Sequence, residues 1–181
     1  GLGDVYKRQI GDRALDANTT ATGNVAVGKD SLGVNTTGDG NTALGWSSLA
    51  LNVTGDNNTA IGTKALQSNL AGNNTALGYN ALLTNTTGTS NVAVGTYALD
   101  ANTTANNNTA VGYRSLTANT TGANNTALGK DSLFSMQTGI RNTGCGAFTL
   151  YLATGDHNTA TGYNALGLTT TGEYNLSLIH I

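Results

Sequence analysis

The chain repeats itself every seventeen residues, and that period restricts its fold more than any other property. An asparagine opens each unit at Asn24, Asn41, Asn58, Asn74, Asn91, Asn108, Asn125, Asn142, Asn158 and Asn175, with successive spacings of 17, 17, 16, 17, 17, 17, 17, 16 and 17 residues. Counting that asparagine as position 1, position 2 is Thr or Val, position 3 Ala, position 5 Gly, position 8 Ala or Ser, and position 9 Leu; Asn-Thr-Thr-Gly then fills positions 12 to 15. A unit this short cannot hold a strand, a crossover helix and two connections. It matches one circuit of a solenoid. The chain therefore reads as all-β, a parallel β-solenoid (β-roll) of about ten 17-residue coils, with residues 10–175 forming a single repeat domain.

The local chemistry agrees with that reading. Asn74-Thr75-Ala76-Leu77 suits a short strand, and Gly78 permits the bend after it. Asn85-Thr86-Thr87-Gly88 has turn chemistry, because Gly adopts positive φ and Asn bonds its own backbone. Stacking one unit on the next, about 4.8 Å apart, places like residues in columns. The leucines Leu32, Leu49, Leu66, Leu82, Leu99, Leu116, Leu133, Leu150 and Leu166 become a core ladder. Position 4, filled by Ile10, Val27, Leu44, Ile61, Leu77, Val94, Val111, Leu128, Cys145 and Thr161, reads as a second inward column, with Cys145 as a small core residue. Asn24, Asn41, Asn58, Asn74, Asn91, Asn108, Asn125, Asn142 and Asn158 form an amide ladder, and the Asn-Thr-Thr asparagines form a second. Asn18, Asn35, Asn85, Asn102 and Asn119 also stand in glycosylation sequons, which any repeat containing Asn-Thr-Thr creates automatically.

Two hexapeptides at the ends stand apart from the repeat. Asp4-Val5-Tyr6-Lys7-Arg8-Gln9 and Leu176-Ser177-Leu178-Ile179-His180-Ile181 can be encoded by GATGTGTATAAGAGACAG and its reverse complement, which resembles the transposon end used in sequencing libraries. Residues 1–9 and 176–181 accordingly read as sequencing-adapter artefact on a translated environmental fragment, and they carry no weight in the fold.

Composition narrows the function. Without those ends six basic residues face nine acidic ones, so no basic patch is available for nucleic acid or anionic lipid. No apolar run reaches the length of a membrane span, and the single cysteine excludes an internal disulfide framework. Asp39, Asp56 and Asp156 come one per turn and do not reproduce a calcium-binding nonapeptide. His157 lacks companion ligands, and no phosphate loop, triad spacing or carboxylate pair occurs. The expectation is a chain without catalytic residues, metal or cofactor. A core this thin points to apolar surface shared between chains, and hence to a homo-oligomer, with a trimer favoured. Positions 6 and 7 carry Trp46, Tyr79, Tyr97, Tyr113, Phe148 and Tyr163, which follow the glycine bend and project outwards. Such a stripe either binds a glycan or cell-surface receptor or packs against neighbouring chains.

The run Asn74-Thr75-Ala76-Leu77-Gly78-Tyr79-Asn80-Ala81-Leu82, followed by Asn85-Thr86-Thr87-Gly88, resembles the repeats of bacterial and phage tail-fibre-domain proteins. More loosely it resembles the head repeats of trimeric autotransporter adhesins. The resemblance spans Ile10 to Asn175 and implies a left-handed coil, a homotrimer and an extracellular place on a bacterial surface or a phage virion. It also implies a structural shaft or head that displays surfaces for attachment. The units are longer than those of the adhesin heads by an added turn. The alternative is an ice-binding solenoid, because Thr42, Thr59, Thr75, Thr109, Thr126 and Thr159 fall in one column.

Overall fold

The computed structural model describes residues 8–178. Eleven short strands follow one another: β1 Arg8–Ile10, β2 Val25–Val27, β3 Thr42–Leu44, β4 Thr59–Ile61, β5 Thr75–Leu77, β6 Val92–Val94, β7 Thr109–Val111, β8 Thr126–Leu128, β9 Thr143–Cys145, β10 Thr159–Thr161 and β11 Leu176–Ser177. They form one parallel sheet in sequence order, and no helix occurs among the described residues. Each strand pairs with its equivalent in the next unit, as in Val25↔Thr42, Ala26↔Ala43 and Val27↔Leu44. One repeat is thus one coil of a β-solenoid. The sixteen-residue units keep this register, with Thr59↔Thr75 and Thr143↔Thr159, so the deletions are absorbed in the turns. In one of them Asn69 Nδ2 reaches Ala71 O two residues ahead, whereas Asn85 Nδ2 reaches Gly88 O three ahead. Of the ends read as adapter, residues 1–7 and 179–181 lie outside the described residues; Arg8, Gln9, Leu176 and Ser177 lie in the edge strands β1 and β11.

The interior of each coil is small. Ala26, Ala43, Ala60, Ala76, Ala93, Ala110, Ala127 and Ala160 at position 3 are fully buried, together with the leucines of position 9 and the small residues of position 8. All nine ladder leucines point inwards; Leu166, in the last complete coil, is partly buried against the core. Because side chains alternate along a strand, an inward position 3 turns positions 2 and 4 outwards. Position 4 is therefore not a core column. Leu44, Leu77, Val111 and Leu128 keep 37–45% of their surface accessible, and Cys145 is exposed rather than buried. The reason is space. A Cβ on Gly144, at position 3 of its coil, would stand 2.7 Å from Leu133 Cδ1, so position 9 already fills the cavity down to a methyl group's width. At that coil Thr149 replaces the usual Ala or Ser of position 8, and its Oγ1 would lie 2.7 Å from the same Cβ. The larger residue and the glycine exchange volume.

The backbone is bent by residues outside the ordinary regions. The position-9 leucines from Leu15 to Leu166 all have φ between 47° and 51°. Bulky side chains rarely adopt this left-handed conformation. It persists here because burial holds each leucine and its N–H is used: Leu32 N donates to Ser48 O at 3.0 Å and Leu99 N to Ser115 O at 3.1 Å, in the coil that follows. Position 7, as at Tyr97 and Phe148, and the last residue of the unit, as at Ser90, are left-handed too; at position 9 the strain is offset by a hydrogen bond and a core side chain at the same site.

Candidate functional site: an apolar strand face and an aromatic edge

Two asparagine ladders hold the coils in line from within. At position 1, Asn41 N donates to Asn24 Oδ1 at 2.8 Å while Asn41 Nδ2 donates to Gly55 O at 2.8 Å, and the pattern repeats from coil to coil. At position 12, Asn35 Nδ2 donates to Asn18 Oδ1 (3.1 Å), Asn52 to Asn35 (3.0 Å), Asn69 to Asn52 (3.3 Å), Asn85 to Asn69 (2.7 Å), Asn102 to Asn85 (2.8 Å) and Asn119 to Asn102 (2.9 Å). Buried amides are tolerable because from Asn35 to Asn102 each side chain donates to one neighbour of the column and accepts from the next. The Asn-Thr-Thr sequons are closed in the folded chain, since these side chains lie inside the coil. The ladder stops where Met136 replaces asparagine, leaving the buried Asn119 Oδ1 without a partner.

Outside, the sheet presents two columns on one face. Position 2 carries Thr42, Thr59, Thr75, Thr109, Thr126, Thr143 and Thr159, with Val25 and Val92 among them. Position 4 carries the aliphatic series that the sequence placed inside. Position 4 makes this face an exposed apolar surface, which the sequence reading had placed in the core. Its signal was present in the strand triplets themselves, which place alanine between two larger residues; in a three-residue strand the odd one out must face the narrow side.

Around the glycine bend, positions 6, 7 and 10 form an aromatic edge. Tyr97 packs edge-on against Tyr79, centroids 5.4 Å apart, and against Tyr113 at 6.5 Å. Farther along, Phe134 stacks on Tyr151 at 5.0 Å, and Phe148 meets Tyr151 and Tyr163, each at 5.8 Å. Cations lie over several rings: Lys64 over Trp46 at 5.3 Å, Arg114 between Tyr113 (5.1 Å) and Phe134 (4.8 Å), and Lys130 over Phe148 at 5.3 Å. Arg114 Nε donates to Asp131 Oδ1 at 2.8 Å, and this bond to a carboxylate that is only 1% exposed raises the arginine further above its ordinary range. Loss of hydration, then the neighbouring Tyr79, raises the Tyr97 hydroxyl. All six aromatics singled out from the sequence lie on this edge, and Trp46, Tyr79, Tyr113 and Tyr163 are exposed.

The remaining polar groups are structural. Asp39 Oδ1 accepts from Thr22 N (2.6 Å), Asp56 Oδ1 from Asp39 N (2.8 Å) and Asp156 Oδ1 from Ile140 N (2.8 Å), so these carboxylates join successive turns. His157 stacks on Tyr174 at 4.7 Å. Among the described residues no three His, Cys, Asp or Glu side chains gather as a metal site. A shallow cleft of about 370 Å³ opens beside Arg13, Asp30, Val34 and Leu51, where position 10 is only Gly33 or Ala50; its Arg13 and Asp30 are ion-paired at 2.6 Å.

Asp100 gives this edge a modest pH dependence. Half-burial raises its carboxyl above the ordinary value, against the hydrogen bond from Thr117 Oγ1 at 2.6 Å. The folded chain then binds more protons than the unfolded chain between the ordinary and the raised value, so its stability falls as pH rises through that window. Asp100→Asn removes the slope. The variant is expected to melt slightly above the parent at pH 7 and level with it at pH 3, by calorimetry.

No protein-family model matches the chain, and no curated protein or solved structure is similar to it.

Proposed function

We propose that the chain is a structural repeat segment of a surface adhesin or tail fibre, whose copies pack through the outward strand face and hold the aromatic edge out for attachment. The role is mechanical and adhesive rather than catalytic, and its place is extracellular, on a bacterial surface or a virion. One observation carries the reading: from Ile10 to Leu128 a column of aliphatic side chains, partly or largely exposed, lies on the solvent side of the sheet. Water-exposed apolar surface that continuous marks an interface. A trimer suits it, because three rods around one axis cover one face of each and leave the other edges free.

Light scattering on the purified chain is expected to give the mass of three copies at micromolar concentration. Leu44→Asp, Leu77→Asp and Leu128→Asp together convert it to a monomer with an unchanged β spectrum, while mild oxidation of the parent joins chains in pairs through Cys145, which lies on the same face. A parent chain that is folded and monomeric overturns the proposal. The same face supports ice binding as a second reading, because its threonine column stands in register beside the aliphatic one. Thermal hysteresis in the parent, lost on Thr75→Tyr and Thr109→Tyr, would establish that reading in place of the first.

A further inference from the structure

The aromatic edge carries a second period. In five successive coils position 6 is Trp46, Thr63, Tyr79, Thr96 and Tyr113, so a large ring appears in every second coil and a threonine in each coil between. The intervening coils supply props from position 7. Lys64 lies 5.3 Å over the Trp46 ring, and Tyr97 sets its ring perpendicular to Tyr79 and at 75° to Tyr113. Arg114, anchored by the buried Asp131, steadies Tyr113. Trp46, Tyr79 and Tyr113 nevertheless keep 44–50% of their surface open. Three rings, each braced by a neighbour and with close to half of its surface open to water, therefore recur every two coils, about 9.6 Å apart at the spacing of parallel strands. The pattern ends there: the next coil in phase has Ala147, and Tyr163 falls out of step.

An extended β-1,4-linked polysaccharide has the matching repeat. Each sugar is turned over relative to its neighbour, so the same C–H face recurs once per disaccharide, a length close to two coils. That face stacks on aromatic rings as other apolar surfaces do. We infer that the edge from Trp46 to Tyr113 binds a neutral linear β-1,4-glycan along the solenoid axis, every second sugar stacked on Trp46, Tyr79 or Tyr113, with Thr63 and Thr96 facing the sugars between. This deepens the attachment reading above and rests on it for its setting. The straightness of the array selects the linkage, because α-1,4-glucans coil and cannot touch three collinear platforms.

Calorimetric titration of the whole chain with cello- and chito-oligosaccharides of two to six sugars tests this, and the two series separate a glucan from an N-acetylglucosamine polymer. Affinity is expected to climb up to five sugars, the span of three platforms, and then level off. Trp46→Ala, Tyr79→Ala and Tyr113→Ala each weaken pentasaccharide binding about tenfold, the scale of one stacking contact. Tyr79→Phe and Tyr113→Phe retain it, and Tyr163→Ala leaves it unchanged. Failure of both series to bind, equal binding of maltohexaose, or an equal loss with Tyr163→Ala overturns the inference. Light scattering on the same samples keeps the two proposals apart. Assembled chains that bind neither sugar defeat the glycan site alone, whereas a folded monomer that binds pentasaccharide defeats the oligomeric shaft alone.

Discussion

Replacing Gly95 with alanine is expected to cost about 4 kcal/mol of stability, whereas Gly88→Ala, seven residues earlier, costs about 1 kcal/mol. The contrast follows from the column each glycine occupies. Gly95 stands at position 5 with φ 136°, a conformation essentially reserved for glycine, and a Cβ there would lie 2.5 Å from Gly112 O and 2.7 Å from Gly112 C. Those atoms are backbone of the next coil, pinned in turn above Gly129, so the clash cannot be relieved by rotating a side chain. A Cβ on Gly88 at position 15 would come as close to the Ala105 carbonyl and to the Asn85 and Asn102 amides, but Gly88 is not at positive φ and the next coil already accommodates an alanine at that place. Denaturant midpoints of the two variants, measured side by side, decide the matter. Equal losses would mean that φ does not set the position-5 column.

Asn102→Asp tests the interior ladder, and its expected cost at pH 7 is about 4 kcal/mol. Asn102 Nδ2 donates to Asn85 Oδ1 at 2.8 Å and to Ala105 O at 3.2 Å, while its Oδ1 accepts from Asn119 Nδ2 at 2.9 Å. The carboxylate keeps the accepted bond but sets negative oxygens against two acceptors in a dry interior. Protonation restores one donor. The aspartate is thus held neutral more readily in the folded chain than in the unfolded one, so the folded state binds the extra proton and the variant regains stability as pH falls. Melting temperatures from pH 7 down to pH 3 should converge on the parent. A pH-independent deficit would show that shape, and not the direction of the donor, is what the ladder requires. At the natural end of the column Asn119 Oδ1 is left unpartnered, because Met136 stands where the next asparagine would donate.

The period, the strands and the two amide columns were legible in the residues, but the Asn-Thr-Thr-Gly turn does not place its glycine at positive φ: Gly88 lies outside that region, and Ser90, at φ 58°, takes it instead. Asn74-Thr75-Ala76-Leu77-Gly78 names its own strand and bend, and a column of asparagines at a fixed spacing has no better use than to hydrogen-bond to itself. The aromatic edge was legible for the same reason, since residues that follow a required glycine bend have nowhere to point but out. Position 4 was misread. Leu44, Leu77 and Cys145 look like core by composition, yet they face solvent.

Repetition in the sequence by itself determined that like residues stack on like, because identical units joined end to end bury the most surface in register. Only the tertiary structure decided which column of each strand faces inward. The interior is one leucine, two asparagines and two small residues wide, and Leu133 already lies against position 3, so the narrowest residue of the strand turns in and the hydrophobic ones turn out. The left-handed φ near 50° at every position-9 leucine belongs to the same class. No local preference asks for it; closing the coil around that side chain does.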